Sequence, residues 1–274
     1  MGRKMGNLKI FAAWLLLMST ARADISSNLI HRFTCDAGSG TSLADTGSAN
    51  KTGTFAGSAT WVTPGKLGAA NLSFPGFVTG SYGGVSGAAP SGIQAKTTVT
   101  VSFWVKVTHV GDYNVGVWAS ALWEGSYNSR FEICGGQTGN PRDVHIAICN
   151  GAASYVYVSN ALPSTNVWHH VCVTYDGGQA TDADKVKLYV NGSAVTVGSW
   201  NAAVPSSLPN NTLYGWQFGR RIDATGPSKH DMDEIRVYDR ALSASDVSQL
   251  YSYTMATRSY RPSIRNNPSK VLEY

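Results

Sequence analysis

The stretch 97–107, TTVTVSFWVKV, decides the class of fold. From Val99 to Val107 every second side chain is valine or phenylalanine, and the residues between them are mostly threonine, serine or lysine. A strand presents successive side chains on opposite faces of its sheet, so this period of two gives one apolar face and one mixed face. The pattern predicts a half-buried strand of an antiparallel sheet.

Similar runs recur along the chain, separated by clusters of Gly, Ser, Asn and Pro. RFEIC (130–134) and DVHIAIC (143–149) predict a hairpin, and WHHVCVTYDGG (168–178) predicts a strand that ends in a turn. In KVKLYVNGSAVTV (185–197), Asn191-Gly192 supplies the two positive-φ residues of a type I′ turn. Short strands at this spacing predict a sandwich, a barrel or a jelly roll.

One helix is predicted, near the end of the chain. Ser243 is placed to cap it, and Asp246 is placed to bond back to the amide of the cap. Leu242 and Val247 have the spacing of a hydrophobic staple, so the helix is expected to dock on the sandwich. Residues 254–274 are polar and basic, which predicts a flexible tail or an arm that docks on a partner and supports self-association.

The first 23 residues read as a signal peptide. A basic start precedes the apolar run IFAAWLLLM, and Ala21-Arg22-Ala23 fits a cleavage site. The run is too short to span a bilayer comfortably, and an uncleaved anchor is the alternative to a signal peptide. Nothing later is apolar enough, so we expect no membrane span after cleavage. The predicted organisation is a signal peptide (1–23), one domain (24–253) and a tail (254–274) in a secreted, periplasmic or cell-surface protein.

The net charge of +5 belongs to the two ends of the chain. Between residues 24 and 256 there are 14 basic and 16 acidic residues, a net charge of −2. This balance predicts no nucleic-acid partner. About 230 residues suit one large all-β domain that can bury a full core.

Four cysteines follow the signal peptide: Cys35, Cys134, Cys149 and Cys172. An exported chain permits disulfides, and four cysteines allow three pairings. A fold of this size does not need cross-links, so buried free thiols remain the alternative. None of the four has the sequence spacing of a metal site.

Five segments carry a family resemblance: GKLGAANLSF (65–74), VTVSFWVKV (99–107), WHHVCVTYDGG (168–178), LYVNGSAV (188–195) and MDEIRVYDRALSASDVSQLY (232–251). In this order they resemble a laminin-G-like domain of the concanavalin A-like lectin/glucanase superfamily, over about residues 29–253. The resemblance implies an all-β fold, a two-sheet antiparallel jelly-roll sandwich with one short C-terminal helix. It also implies a binding module in an exported or surface protein.

The resemblance further implies a structural Ca²⁺ that ties the first strand to the last. The matching positions are Asp233, Asp36 and the carbonyl of Gly76. Where the family often has Phe-Asp-Gly, this chain has Phe74-Pro75-Gly76, which removes one side-chain oxygen. Ca²⁺ takes six to eight oxygen ligands, carbonyls included. Calcium is therefore expected at Asp233, with an arginine or a backbone amide as the alternative partner of that carboxylate.

The sequence gives little support for a catalytic function. Retaining hydrolases of this fold need two glutamates about 5 Å apart, and no glutamate here has a second one within five residues. The segments Arg130-Phe131-Glu132 and Val144-His145-Ile146 faintly resemble sequence motifs of jelly-roll alginate lyases. The alternation of side chains along the two strands places Arg130 and His145 on the outer face of one hairpin. A polysaccharide lyase that uses them is an alternative; a solvated strand face is the competing interpretation.

Binding is the favoured function. Exposed aromatic rings stack on sugars while polar side chains bond their hydroxyl groups. The predicted ligand-binding residues are Trp118, Trp123, Tyr127, Arg130, His145, Tyr157, Trp216 and Arg220. We therefore expect a non-catalytic module whose partner is a glycan or a surface protein; a structural subunit of a surface assembly is a further alternative.

Overall fold

A computed structural model describes residues 24–75, 77–78, 81–108, 119–126, 128–135, 139–210, 212–213, 215–219 and 229–259. Within these residues the strands are β1 (Leu29–Phe33), β2 (Ser42–Leu43), β3 (Gly53–Ala56), β4 (Thr60–Val62), β5 (Asn71–Pro75), β6 (Phe77–Val78), β7 (Ser81–Tyr82), β8 (Gly84–Gly87), β9 (Thr98–Val107), β10 (Ala119–Ser126), β11 (Ser129–Gly135), β12 (Val144–Asn150), β13 (Tyr155–Val158), β14 (Trp168–Asp176), β15 (Val186–Val190), β16 (Ser193–Val195), β17 (Gln217–Phe218) and β18 (Lys229–Tyr238). The helices are α1 (Asp182–Lys185) and α2 (Ala244–Ser259).

Most of the strands form two antiparallel sheets. The first sheet has the order β16-β15-β14-β9-β18-β5-β4, with β1 also paired to β18. The second has the order β13-β12-β11-β10-β17-β8-β3-β2, and β6 pairs with β7 separately. Neighbours in each sheet are often distant in sequence, as in β9 beside β18. The predicted two-sheet antiparallel sandwich is confirmed.

The core lies between the inner faces of the sheets. Val101 and Phe103 of the first sheet belong to the same buried cluster as Phe131, Ile133 and Ile146 of the second. Each of these side chains is at most 1% exposed. Burying one such side chain contributes roughly 1.5–3 kcal/mol. The side chains of the β11–β12 hairpin that alternate with Arg130 and His145 are therefore core residues.

Strand β9 is buried on both faces, which corrects the expectation of a half-buried strand. On its outer face Thr100, Ser102 and Trp104 are at most 2% exposed. The backbone N–H of Leu242 donates to Thr100 Oγ1 at 2.9 Å, and the ring of Tyr251 lies 5.7 Å from that of Trp104. The chain end that contains α2 covers this face, which the alternation within β9 could not reveal.

The predicted capping box starts α2. The Ser243 N–H donates to Asp246 Oδ2 at 2.9 Å, and the Asp246 N–H donates to Ser243 Oγ at 3.1 Å. Val247 and Leu250 are fully buried in a cluster on the outer face of the first sheet. The helix continues to Ser259, so the predicted tail begins inside a helix. Residues 260–274 lie outside the described residues.

The turn between β15 and β16 and the four cysteines were also predicted from sequence. Asn191 and Gly192 have φ of 51° and 79°, as a type I′ turn requires, and they join β15 to β16. The four cysteines are free and buried. In the part of the chain that is described, no helix is long and apolar enough to cross a membrane. The predicted signal peptide falls outside that part.

Candidate functional site

The β11–β12–β13 portion of the second sheet gathers several predicted site residues on its outer face. Cys134 stands opposite His145, and His145 stands opposite Tyr157 on β13. Arg130 and Glu132 precede Cys134 at intervals of two, so they share its face. The alternation of side chains along β11 and β12 thus predicted correctly that Arg130 and His145 lie on the same face of the sheet.

This face is not the solvated surface that we expected. Arg130 is 2%, Glu132 0% and His145 2% exposed. Arg130 Nε lies 3.3 Å from Glu132 Oε2, and Cys134 Sγ lies 3.3 Å from His145 Nδ1. Alternation assigns a side chain to one face of a sheet, but it does not tell whether that face is covered. The interpretation of an open substrate surface around Arg130 and His145 is therefore corrected.

An aromatic cluster adjoins His145. The imidazole ring lies 4.6 Å from the Tyr157 ring and 5.6 Å from the Tyr155 ring, measured between centroids. Tyr157 is 41% exposed, and its strand β13 is the last of its sheet. A partly exposed tyrosine held by other rings offers a sugar a flat apolar surface and a hydroxyl group.

Trp216, in contrast, is a core residue. Its side chain is fully buried, and its ring lies 4.5 Å from Phe33 and 4.7 Å from Phe218. A Cβ atom on Gly53 or Gly87 would lie 2.3 or 2.2 Å from this ring, so the glycines make room for it. The prediction that Trp216 contacts a ligand is corrected, because a large indole next to a strand fills the core.

The remaining predicted contact residues cannot be placed in this surface. Trp118, Tyr127 and Arg220 lie outside the described residues. Trp123 belongs to β10, but its side chain also lies outside the described part.

At the expected calcium position, the carboxylates of Asp36 and Asp233 accept hydrogen bonds from backbone amides of one turn, residues 67–69. The Leu67 N–H donates to Asp233 Oδ2 at 2.9 Å, and the Ala69 N–H donates to Asp36 Oδ1 at 2.6 Å. Gly68 lies between the two donors, and a Cβ atom there would lie 1.8 Å from Asp36 Oδ1. This close approach explains why a glycine stands there. Gly76, the third predicted ligand, is outside the described residues.

Asp233 lies in an unfavourable place for a negative charge. Burial raises the pKa of its carboxyl, the charges of Glu234 and Asp36 raise it further, and hydrogen bonds from the Leu67 and Glu234 amides lower it; the pKa is about 8. Its described contacts are backbone amides and other acids rather than a cation. The amide alternative foreseen from sequence is thus present, and the local excess of negative charge is of the kind that a cation offsets.

A groove absent from the sequence predictions lies between the start of the domain, β1, β18 and α2. Its volume is about 480 Å³, within the range of ligand pockets. It is lined by Asp24, Ile25, Ser26, Leu29, Arg32, Arg236, Gln249 and Tyr253. These residues come from both ends of the domain, so no local pattern could have assembled them.

Comparisons with known proteins agree with the fold. A laminin G family model described as concanavalin A-like lectin/glucanases superfamily matches residues 79–248. No curated protein sequence matches the chain. The binding domain of botulinum neurotoxin DC in complex with SialylT is similar, with a TM-score of 0.61, 13% identity, and coverage of 84% of this chain and 52% of that one.

Two further structures are similar. The same toxin domain in complex with rat synaptotagmin II gives a TM-score of 0.61 at 13% identity, with coverage of 84% and 52%. The binding domain of Paraclostridial Mosquitocidal Protein 1 gives 0.59 at 17% identity, with coverage of 84% and 53%. The chain thus spans about half the length of these structures, and similarity at this identity shows the fold alone.

Proposed function

This chain belongs to the laminin G family of the concanavalin A-like lectin/glucanases superfamily, and from that premise we propose that it is a non-catalytic binding module for a glycan or another extracellular or surface component. Similar toxin domains were solved with SialylT and with rat synaptotagmin II, and entry of another toxin is described as dependent on two ganglioside molecules. Those are ligands of those proteins. They support a role for this chain outside the cytoplasm.

The observation that carries the proposal is the exposed ring of Tyr157 beside His145. The ring packs against His145 and, 5.5 Å away, against Tyr155, so its orientation is fixed before a ligand arrives. A prearranged aromatic face loses little conformational entropy when a sugar or an apolar side chain stacks on it. The buried His145 acts beside this ring as support rather than as a ligand contact.

A glycan array with the full chain tests the proposal. We expect specific binding, and we expect Tyr157→Ala to weaken it roughly five- to thirtyfold, because a lost stacking partner costs about 1–2 kcal/mol. Tyr253→Ala is the matched control, since Tyr253 is also 41% exposed but lines the groove beside α2. The absence of binding to diverse glycans and surface proteins would contradict the proposal. Loss of binding in Tyr253→Ala but not in Tyr157→Ala would indicate that the ligand binds in the groove beside α2 instead.

We also propose that Asp36 and Asp233 hold a structural calcium ion. Two carboxylates fixed on the 67–69 turn provide hard oxygen ligands, and the ion would add positive charge where the described contacts supply none to Asp233. Calcium here would join the turn and β1 to β18, because Asp36 follows β1 and Asp233 belongs to β18.

Thermal unfolding with and without a chelator tests this ion. We expect the chelator to lower the melting temperature, since a ligand at one hundred times its Kd stabilises the native state by about 2.7 kcal/mol. Added Ca²⁺ should restore the midpoint, and Asp36→Asn should abolish the difference. Asp184→Asn, at an exposed carboxylate, should leave it intact. Equal melting temperatures of the wild-type protein with and without the chelator would contradict the proposal of a calcium ion at this site.

A further inference from the structure

Three metal-binding side chains converge under Tyr157. Cys134 stands opposite His145 across the β11–β12 pair, and Glu132 lies two residues before Cys134 on the same face. One ligand atom from each of the three lies within 4.8 Å of the other two, and Cys134 Sγ and His145 Nδ1 are 3.3 Å apart. All three side chains are buried.

We propose that Glu132, Cys134 and His145 form a zinc site. Tetrahedral zinc has bonds of about 2.0–2.3 Å, which places its ligand atoms roughly 3.3–3.8 Å apart. The Cys134–His145 separation of 3.3 Å already lies in this range, and the carboxylate of Glu132 has to approach by at most about 1.5 Å. A rotation within the side chain supplies such a movement without a change in the strand.

The chemistry of the three donors selects the metal. A thiolate and an imidazole favour zinc over calcium or magnesium, whose preferred ligands are oxygens. Three protein ligands leave a fourth position for water or for an external ligand. This site is separate from the proposed calcium position, because β11 and β12 belong to the second sheet and Asp233 to the first.

The surroundings would orient the ligands. Arg130 Nε, 3.3 Å from Glu132 Oε2, directs that carboxylate, and the Tyr155 and Tyr157 rings flank the imidazole of His145. Zinc binding would release the thiol proton of Cys134 to solvent and replace its hydrogen bond to His145. With Arg130, Glu132 and a thiolate, the zinc centre would have a net charge of +1, which favours an anionic fourth ligand.

Cobalt substitution tests the site in the full chain. Metal-free protein is titrated with Co²⁺, both when folded and during refolding, because the ligands are buried, and in excess Ca²⁺ to saturate any calcium site. We expect one equivalent to bind, with a thiolate-to-cobalt charge-transfer band and the intense visible bands of tetrahedral Co²⁺. One equivalent of Zn²⁺ should remove these bands.

Cysteine variants test whether cobalt binds to Cys134 rather than to another thiol. Cys134→Ser should abolish the charge-transfer band, whereas Cys149→Ser should keep it, since Cys149 is a buried cysteine on the same strand pair but stands opposite Arg130. If Cys134→Ser does not fold, Glu132→Gln should weaken binding at least tenfold while the band remains. Absence of stoichiometric binding by the wild-type protein, both when it is titrated folded and when it is refolded with the metal, overturns the proposal. So does a charge-transfer band that survives in Cys134→Ser or disappears in Cys149→Ser.

Discussion

Asp45 shows how much one buried side chain can organise. Its carboxylate accepts a hydrogen bond from His31 Nδ1 at 2.7 Å and others from the backbone amides of Arg32, Gly47 and Lys51 at 2.8–3.0 Å. His31 Nε2 lies 2.7 Å from the carbonyl oxygen of Ser91, so the imidazole ring connects Asp45 to the backbone of a segment that is distant in sequence. Burial alone would raise the pKa of Asp45, but these hydrogen bonds hold it below its ordinary value.

Asp45→Asn should therefore be strongly destabilising. An amide has one accepting oxygen where the carboxylate has two, so it cannot accept all four hydrogen bonds and leaves buried donors without a partner. We expect the free energy of unfolding to fall by about 3 kcal/mol, measured by urea denaturation at neutral pH. Asp184→Asn, at an exposed carboxylate, should change it by less than about 0.5 kcal/mol. Equal effects of the two substitutions would contradict this account of Asp45.

At the scale of elements, prediction succeeded where the signal is local. The β9 alternation, the turn at Asn191-Gly192 and the capping box each depend on residues within a few positions of one another. Prediction failed where burial depends on distant segments, as for Trp216 in the core and for the covered face around Arg130. A periodic pattern assigns faces, but the segment that covers a face lies elsewhere in the chain.

Removing the cap of α2 should weaken this element measurably. Ser243→Ala loses the hydrogen bond from the Asp246 amide, so the free energy of unfolding should fall by about 1 kcal/mol. Ser245→Ala is the control, because Ser245 is an exposed residue inside the helix, where alanine is at least as favourable. Chemical denaturation followed by circular dichroism measures both variants. A Ser243→Ala protein as stable as Ser245→Ala would show that the cap contributes nothing.

For the whole molecule, the distribution of histidines determines the response to acid. Five of the six histidines lie in the described part of the chain, and each is buried. Burial, with a contribution from the Arg236 charge, lowers the pKa of His170 to about 3. Burial lowers that of His230 to about 3 as well, and neither ring nitrogen of His230 has a hydrogen-bond partner among the residues that the structure describes. Both rings, which belong to the first sheet, are neutral in the folded protein.

Stability should therefore fall as the pH falls below about 6.5. Between the unfolded pKa near 6.5 and the folded pKa near 3, the unfolded state binds more protons, so each of these two histidines lowers the free energy of unfolding by up to about 1.4 kcal/mol per pH unit. We expect a loss of about 3 kcal/mol between pH 6.5 and about 5, measured by denaturation at fixed ionic strength. His230→Leu should remove about half of this slope without destabilising the protein at neutral pH, because the replaced ring nitrogens have no hydrogen-bond partner in the described part of the chain. A stability that is constant over this range, or an unchanged slope in His230→Leu, would show that these buried rings are not the source of acid sensitivity.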